Sequence, residues 1–287
     1  MIYHQTINRF CGVVRPCHLG GLLRIGPGPL TINWSNAERS IHCAGIGVAG
    51  ESLSAQIANG EVTVEWLNSS VLPPAGPWFG GWAFGNTTWD GFDVERWILP
   101  EILAWWDGRQ AYAAAFGPEG TSTQTLLEKL QLIVEIDPLT DDHLAELKTN
   151  DDARWTLTLD KALRALDDGD FEKVVLARDI EVHTQGEFSE RRILKALEAR
   201  FPTCWTFLIR GRDGRAFIGA SPETLIEIDG DAVRCDALAG TAMVGAGAAL
   251  LESPKIRREH QAVVHDIVEV LEGTCDDVVC SSGPHIR

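Results

Sequence analysis

Two short turn signals, Arg212-Asp213-Gly214 and Asp229-Gly230-Asp231, sit between strand-like segments at 205–209, 216–219, 225–228 and 233–236. Asp-Gly pairs between short apolar runs reverse the chain with the twist that flanking strands require, so consecutive antiparallel hairpins are expected. The fold class is therefore α+β, a two-lobed antiparallel β-sheet core flanked by helices rather than a doubly wound sheet.

Apolar periodicity places the helices around these hairpins. Leu126, Leu127, Leu130 and Ile133 form one stripe over 122–134, and further helices are expected over 157–166 and 189–200, the latter opening at Ser189. Ser253-Pro254 pairs an N-cap with proline at the first helical position, ahead of a stripe of Ile256, His260, Val263, Ile267 and Val270. The acidic connection at 137–152, with a short helix expected in it, marks a lobe boundary and gives regions 1–150 and 151–287. Eight of the ten tryptophans precede position 107, and Gly80-Gly81-Trp82-Ala83-Phe84-Gly85 predicts an aromatic core under a glycine turn.

Composition narrows the function classes. A chain of 287 residues with 45% hydrophobic content buries a core of one large domain or two lobes. The net charge of -16 is spread over short acidic clusters such as Asp141-Asp142 and Asp167-Asp168, which argues against nucleic acid as a partner. Seven cysteines fall into no metal or disulfide spacing and point to a reducing cytoplasm. With no apolar run long enough for a bilayer and no leader-like N-terminus, neither membrane anchoring nor export is expected.

Chemistry is best sought where charge interrupts apolar sequence. Lys173 lies within Phe171-Glu172-Lys173-Val174-Val175-Leu176-Ala177-Arg178, a segment expected to form a strand, and Glu223 follows fifty positions later in Gly219-Ala220-Ser221-Pro222-Glu223. A charge in an apolar stretch is costly to bury unless it pairs or titrates. By itself, Lys173 also fits a strand-end lysine that snorkels to water, and Glu223 fits a turn residue. Glu259, beside the core stripe of the last helix, offers one oxygen to a hard cation such as Mg2+ or simply pairs with Lys255.

Taken together and in order, the Lys173 segment, the Ser221-Pro222-Glu223 segment, Ala237-Leu238-Ala239-Gly240-Thr241, and Ser253-Pro254-Lys255 through Arg258-Glu259-His260 resemble the chorismate-utilising enzymes. Isochorismate synthase is the member they resemble most, and Gly80-Gly81-Trp82-Ala83-Phe84 with Leu99-Pro100-Glu101 looks like that family's N-terminal lobe. The resemblance implies an anthranilate synthase component I-like fold. It implies that Lys173 is the general base activating water to attack C2 of chorismate, and that Glu223 is the general acid at the C4 hydroxyl. Gly240 and Thr241 then contact the substrate, and Glu259 is a ligand to Mg2+. A lysine at this place implies water rather than ammonia as nucleophile. Near neutral pH such a pair needs a partly neutral lysine and a partly protonated glutamate, so burial of both is expected.

The resemblance further implies a cytoplasmic isomerase serving menaquinone or catecholate siderophore biosynthesis, monomeric and without a glutaminase partner. Salicylate synthase shares the same motifs, and a chorismate-binding remnant without turnover is the reading from another class. Two departures from the family pattern stand out. The family's sequences continue past the point matching Ile286-Arg287, so that the C-terminal part, with a second metal glutamate and carboxylate-binding residues, is expected to be missing. The stretch from Ala242 to Glu252 is also shorter than usual.

Overall fold

Both faces of the central strands are apolar, which is the pattern of a sheet covered on each side. In the computed structural model, described for residues 8–17, 29–67, 71–74, 76–85, 87–89, 91–131, 145–148, 152–171, 173–184, 186, 188–243 and 245–286, this pattern gives an eight-stranded sheet. The elements in chain order are β1 (Asn8–Cys17), β2 (Leu30–Asn36), β3 (Ile41–Ile46), β4 (Gly50–Ser52), α1 (Ser54–Ala58), β5 (Val62–Trp66), β6 (Phe79–Trp82) and β7 (Glu95–Leu99). There follow β8 (Ile102–Trp106), β9 (Ala111–Pro118), α2 (Thr123–Gln131), β10 (Ala145–Lys148), α3 (Asp152–Asp167), β11 (Glu181–Thr184) and α4 (Glu190–Arg200). The chain then forms β12 (Trp205–Arg210), β13 (Ala216–Ser221), β14 (Glu227–Asp229), β15 (Ala232–Arg234), α5 (Gly247–Glu252) and α6 (Pro254–Glu272).

The contacts group these elements into two units, Met1–Ile136 with Leu194–Arg287, and Asp137–Ile193; the boundary expected near residue 150 falls inside the second. In the first unit the large sheet runs β13-β12-β2-β3-β8-β9-β1-β5. All its pairings are antiparallel except β1 with β5. One face buries Cys11, Val13, Ala44, Ala104, Ala113, Ala115 and Leu208 with Leu126 and Leu130 of α2 and Leu194 of α4. The other buries Val14, Ile32, Cys43, Leu103, Trp105 and Phe116 with Phe79 and Leu99 of the small β4-β7-β6 sheet. Alternate residues of one strand thus serve two cores.

The two predicted hairpins form. β12 pairs antiparallel with β13, and β14 with β15, and Gly214 and Gly230 take the left-handed backbone their turns require. The helices expected over 157–166, 189–200 and from Ser253 onward also form, α3 beginning earlier, at Asp152. α2 is described to Gln131, so the expectation for 132–134 lies outside the described residues.

Other expectations are corrected. Trp82 and Phe84 stand in solvent rather than in a core, because β6 meets β7 so closely that a Cβ on Gly80 would lie 2.0 Å from the Arg96 carbonyl. That tight pairing leaves only Phe79 of β6 turned fully inward. Where a short helix was expected in the acidic connection, Ala145–Lys148 is a strand paired with β11, and 137–144 lie outside the described residues. The segment predicted as the Lys173 strand has no regular structure from 173 to 180. It finds no partner strand among the described residues, and an apolar run without a ladder to join has no reason to stay extended.

Candidate functional site

Glu223 leaves the end of β13, the outermost strand of the large sheet. Pro222 cannot donate to a ladder, so pairing stops there and the next residues turn away. The Ser221 hydroxyl accepts the Glu223 backbone N–H at 3.4 Å, a short-range turn that fixes the backbone while the carboxylate stays exposed.

Thirteen residues on, the chain returns to the same place. Asp236 donates its N–H to the Thr224 carbonyl at 3.1 Å, and its side-chain Oδ2 accepts the Thr224 N–H at 3.4 Å. Glu223 and the Ala237-to-Thr241 loop therefore depart from one closed hairpin base. The loop then reaches α6. Gly240 holds φ +86°, and a Cβ on it would lie 2.5 Å from Cγ2 of Ile256 in the first helical turn. Glycine is needed here for backbone handedness and for close approach to the helix together.

α6 begins where the sequence predicted, with Pro254 at the first position and the Ser253 hydroxyl accepting the Ile256 N–H at 3.4 Å. Glu259 lies three residues beyond Ile256 and so on the same side of the helix, half-buried like its neighbour His260. No residue of α6 is fully buried. Thus Glu223 and the Gly240-Thr241 loop leave one hairpin base, and Gly240 lies against Ile256, one turn ahead of Glu259, within the first unit.

Lys173 belongs to the second unit. There it is exposed, in the irregular stretch between α3 and β11, as are Val174 and Val175. Arg178 of this stretch stacks its guanidinium 5.4 Å from the Trp155 ring of α3. The expected burial of Lys173 and Glu223 is accordingly not found; both charges stand in water, and Thr241 and Gly240 are exposed as well.

A cleft of about 480 Å³ lies beside the hairpin base, between Val233–Leu238, the His260-to-Leu271 side of α6 and the 275–285 tail. None of the five sequence-predicted residues lines it. For Mg2+, the half-buried Glu259 carboxylate is a suitable hard donor. Among the described residues no group of three or more His, Cys, Asp or Glu side chains is arranged to hold a metal ion.

Sequence reasoning passed over Asp236 and Ile256. The signal for Asp236 was an acid at the last position of a predicted strand, a pattern too common to single out. The signal for Ile256 was a place on the stripe that gave no hint of which glycine it would meet.

The family model described as chorismate binding enzyme matches residues 29–287. Isochorismate synthase MenF of Bacillus subtilis is 26% identical over 241 residues, 77% of this chain and 50% of that protein. MenF of Escherichia coli is 30% identical over 156 residues, 50% of this chain and 36% of that protein. The solved structure of the Escherichia coli menaquinone-specific isochorismate synthase superposes with a TM-score of 0.70 at 21% identity, covering 93% of this chain and 65% of that one. The chain thus spans half or less of the length of these sequence relatives.

Proposed function

Because the chain belongs to the chorismate-binding enzyme family, we propose that it performs the isochorismate synthase reaction, exchanging the C4 hydroxyl of chorismate for a hydroxyl at C2. The observation that supports this reading is that Glu223 and the Gly240-Thr241 loop leave one hairpin base while Gly240 lies against Ile256, three residues ahead of Glu259 on α6.

In this reading Lys173 takes a proton from water as the oxygen attacks C2, the ring double bond shifts, and Glu223 gives a proton to the departing C4 oxygen. One water enters and one leaves, so the reaction is an isomerisation. The lysine must be neutral and the glutamate protonated at the outset. Thr241 donates its hydroxyl to the substrate, and Gly240 lets the backbone approach. Glu259 would hold Mg2+, which when bound neutralises the ring carboxylate of a dianionic substrate arriving at an acidic protein.

We place the reaction in menaquinone or catecholate siderophore biosynthesis, the former in keeping with the menaquinone-specific enzyme of Escherichia coli whose fold this chain shares. We assign action as a monomer in the cytoplasm, without a glutaminase subunit. Among the described residues no helix is long and apolar enough to cross a membrane.

The exposure of Lys173 and Glu223 favours one second reading, a chorismate-binding protein without turnover. Chromatography after incubation with chorismate and Mg2+ separates the two. Isochorismate that disappears in Lys173→Ala and in Glu223→Gln supports the synthase, salicylate with pyruvate indicates the related elimination, and calorimetric binding without product indicates the binder.

A further inference from the structure

The β14–β15 ladder pairs Glu227 with Arg234, Ile228 with Val233 and Asp229 with Ala232. Continued outward, this register would set Asp236 opposite Leu225. Instead the Asp236 N–H reaches the carbonyl of Thr224, one residue further, and the ladder would end there with the Thr224 N–H unmet. The Asp236 carboxylate fills that position, with Oδ2 accepting the Thr224 N–H at 3.4 Å. A side-chain oxygen thus replaces the backbone carbonyl that the slipped register removed, and the two bonds close a ring between residues 224 and 236.

Thr224 has little else to hold it. Its hydroxyl is buried without a hydrogen-bond partner among the described residues, so its backbone bonds to Asp236 carry its placement. Glu223 is the adjacent residue on one side of this ring, and Ala237 opens the Gly240-Thr241 loop on the other.

We propose that Asp236 is a positioning residue: its carboxylate locks the slipped hairpin base and so fixes the backbone from which both Glu223 and the Gly240-Thr241 loop project. This rests on the assignment of Glu223 as general acid. Asp236 touches neither substrate nor reacting atoms in this scheme. It acts through the Thr224 amide on one arm and through its own place in the chain on the other. Aspartate suits the task because its short side chain returns an oxygen to nearby backbone without a long flexible stem, and an anionic acceptor strengthens the bond. Asparagine keeps the acceptor at the same reach; alanine removes it.

The test compares the full chain with Asp236→Ala and Asp236→Asn by amide hydrogen exchange resolved to Thr224, and by steady-state kinetics with chorismate and Mg2+. The expected result is loss of Thr224 amide protection in Asp236→Ala with faster exchange through 237–241, unchanged exchange in β8 and β9, and recovery in Asp236→Asn. In the same series kcat falls tenfold or more, on the order expected for a displaced catalytic group, with KM moving less, and asparagine restores most of it. Unchanged Thr224 protection in Asp236→Ala overturns the proposal. So does faster exchange across the whole eight-stranded sheet, which would make Asp236 a general folding residue. If no variant, wild type included, forms isochorismate, the synthase reading falls while the exchange data alone decide whether the lock exists.

Discussion

Replacing Gly240 by alanine tests whether the loop truly rests on α6. Two costs are separable. Left-handed backbone at φ +86° costs a residue with a Cβ about 1–2 kcal/mol. The new methyl would lie 2.5 Å from Ile256 Cγ2, well inside ordinary contact, and crowding of this kind costs about 1–3 kcal/mol. Gly240→Ala should therefore lose about 2–5 kcal/mol. Ile256→Ala alone, at a half-buried site, should lose about 1–2 kcal/mol, below the range of roughly 2–5 kcal/mol for a fully buried isoleucine. The double variant removes the obstacle but keeps the backbone strain, so its loss should fall short of the sum by about 1–3 kcal/mol. Urea unfolding followed by circular dichroism, with equal slopes confirmed across the four proteins, gives these values. Losses that add to within about 0.5 kcal/mol would refute the packing of Gly240 on Ile256.

Two other expectations follow from the same structure. Glu95 is held below the usual carboxylate range by the Ser54 side chain and backbone N–H, and further by the indoles of Trp97 and Trp82. A folded pKa below the unfolded value of about 4.3 gives stability that is present above that pH and lost as pH falls through the folded value. The melting-temperature advantage over Glu95→Gln should be constant from pH 6 to 8 and shrink in acid; an advantage that grows in acid would contradict this. Leu208, fully buried beneath α4, should cost about 2–5 kcal/mol on replacement by alanine, whereas Leu225→Ala, at 80% exposure, should stay within about 0.5 kcal/mol; urea midpoints compare them directly.

The parts of this fold that sequence disclosed are those decided locally. Turn chemistry at Gly214 and Gly230 and the Ser253-Pro254 start of α6 need no distant partner, and each stands where it was expected. The strand at Lys173 failed for the converse reason: a strand exists only with a neighbour, and apolar content cannot say whether one is there. β10 was missed because its acidic surroundings hid a partner in β11, from Lys148 opposite Glu181 to Ala145 opposite Thr184. At the site, the motifs supplied the residue identities, but sequence could not say what held them. That Thr224 is tied to Asp236 depends on a register slip of one residue, and that Gly240 meets Ile256 depends on a tertiary approach; no local pattern records either.

The central sheet also carries a timing problem. β2 takes its partner β12 through pairs such as Ser35 with Thr206 and Trp34 with Phe207, so the inner strand waits for sequence about 171 residues downstream. At roughly 5–20 residues per second on a ribosome, that delay is on the order of 10–30 s. Throughout it, the β2 edge stands open after β3, β8 and β9 have been made, next to Ile32 and Trp34. An apolar strand edge is a template for any passing chain. Newly made protein should therefore depend on chaperones until residue 210 has emerged, and slower translation of the 137–204 region should lower soluble yield without altering the finished molecule.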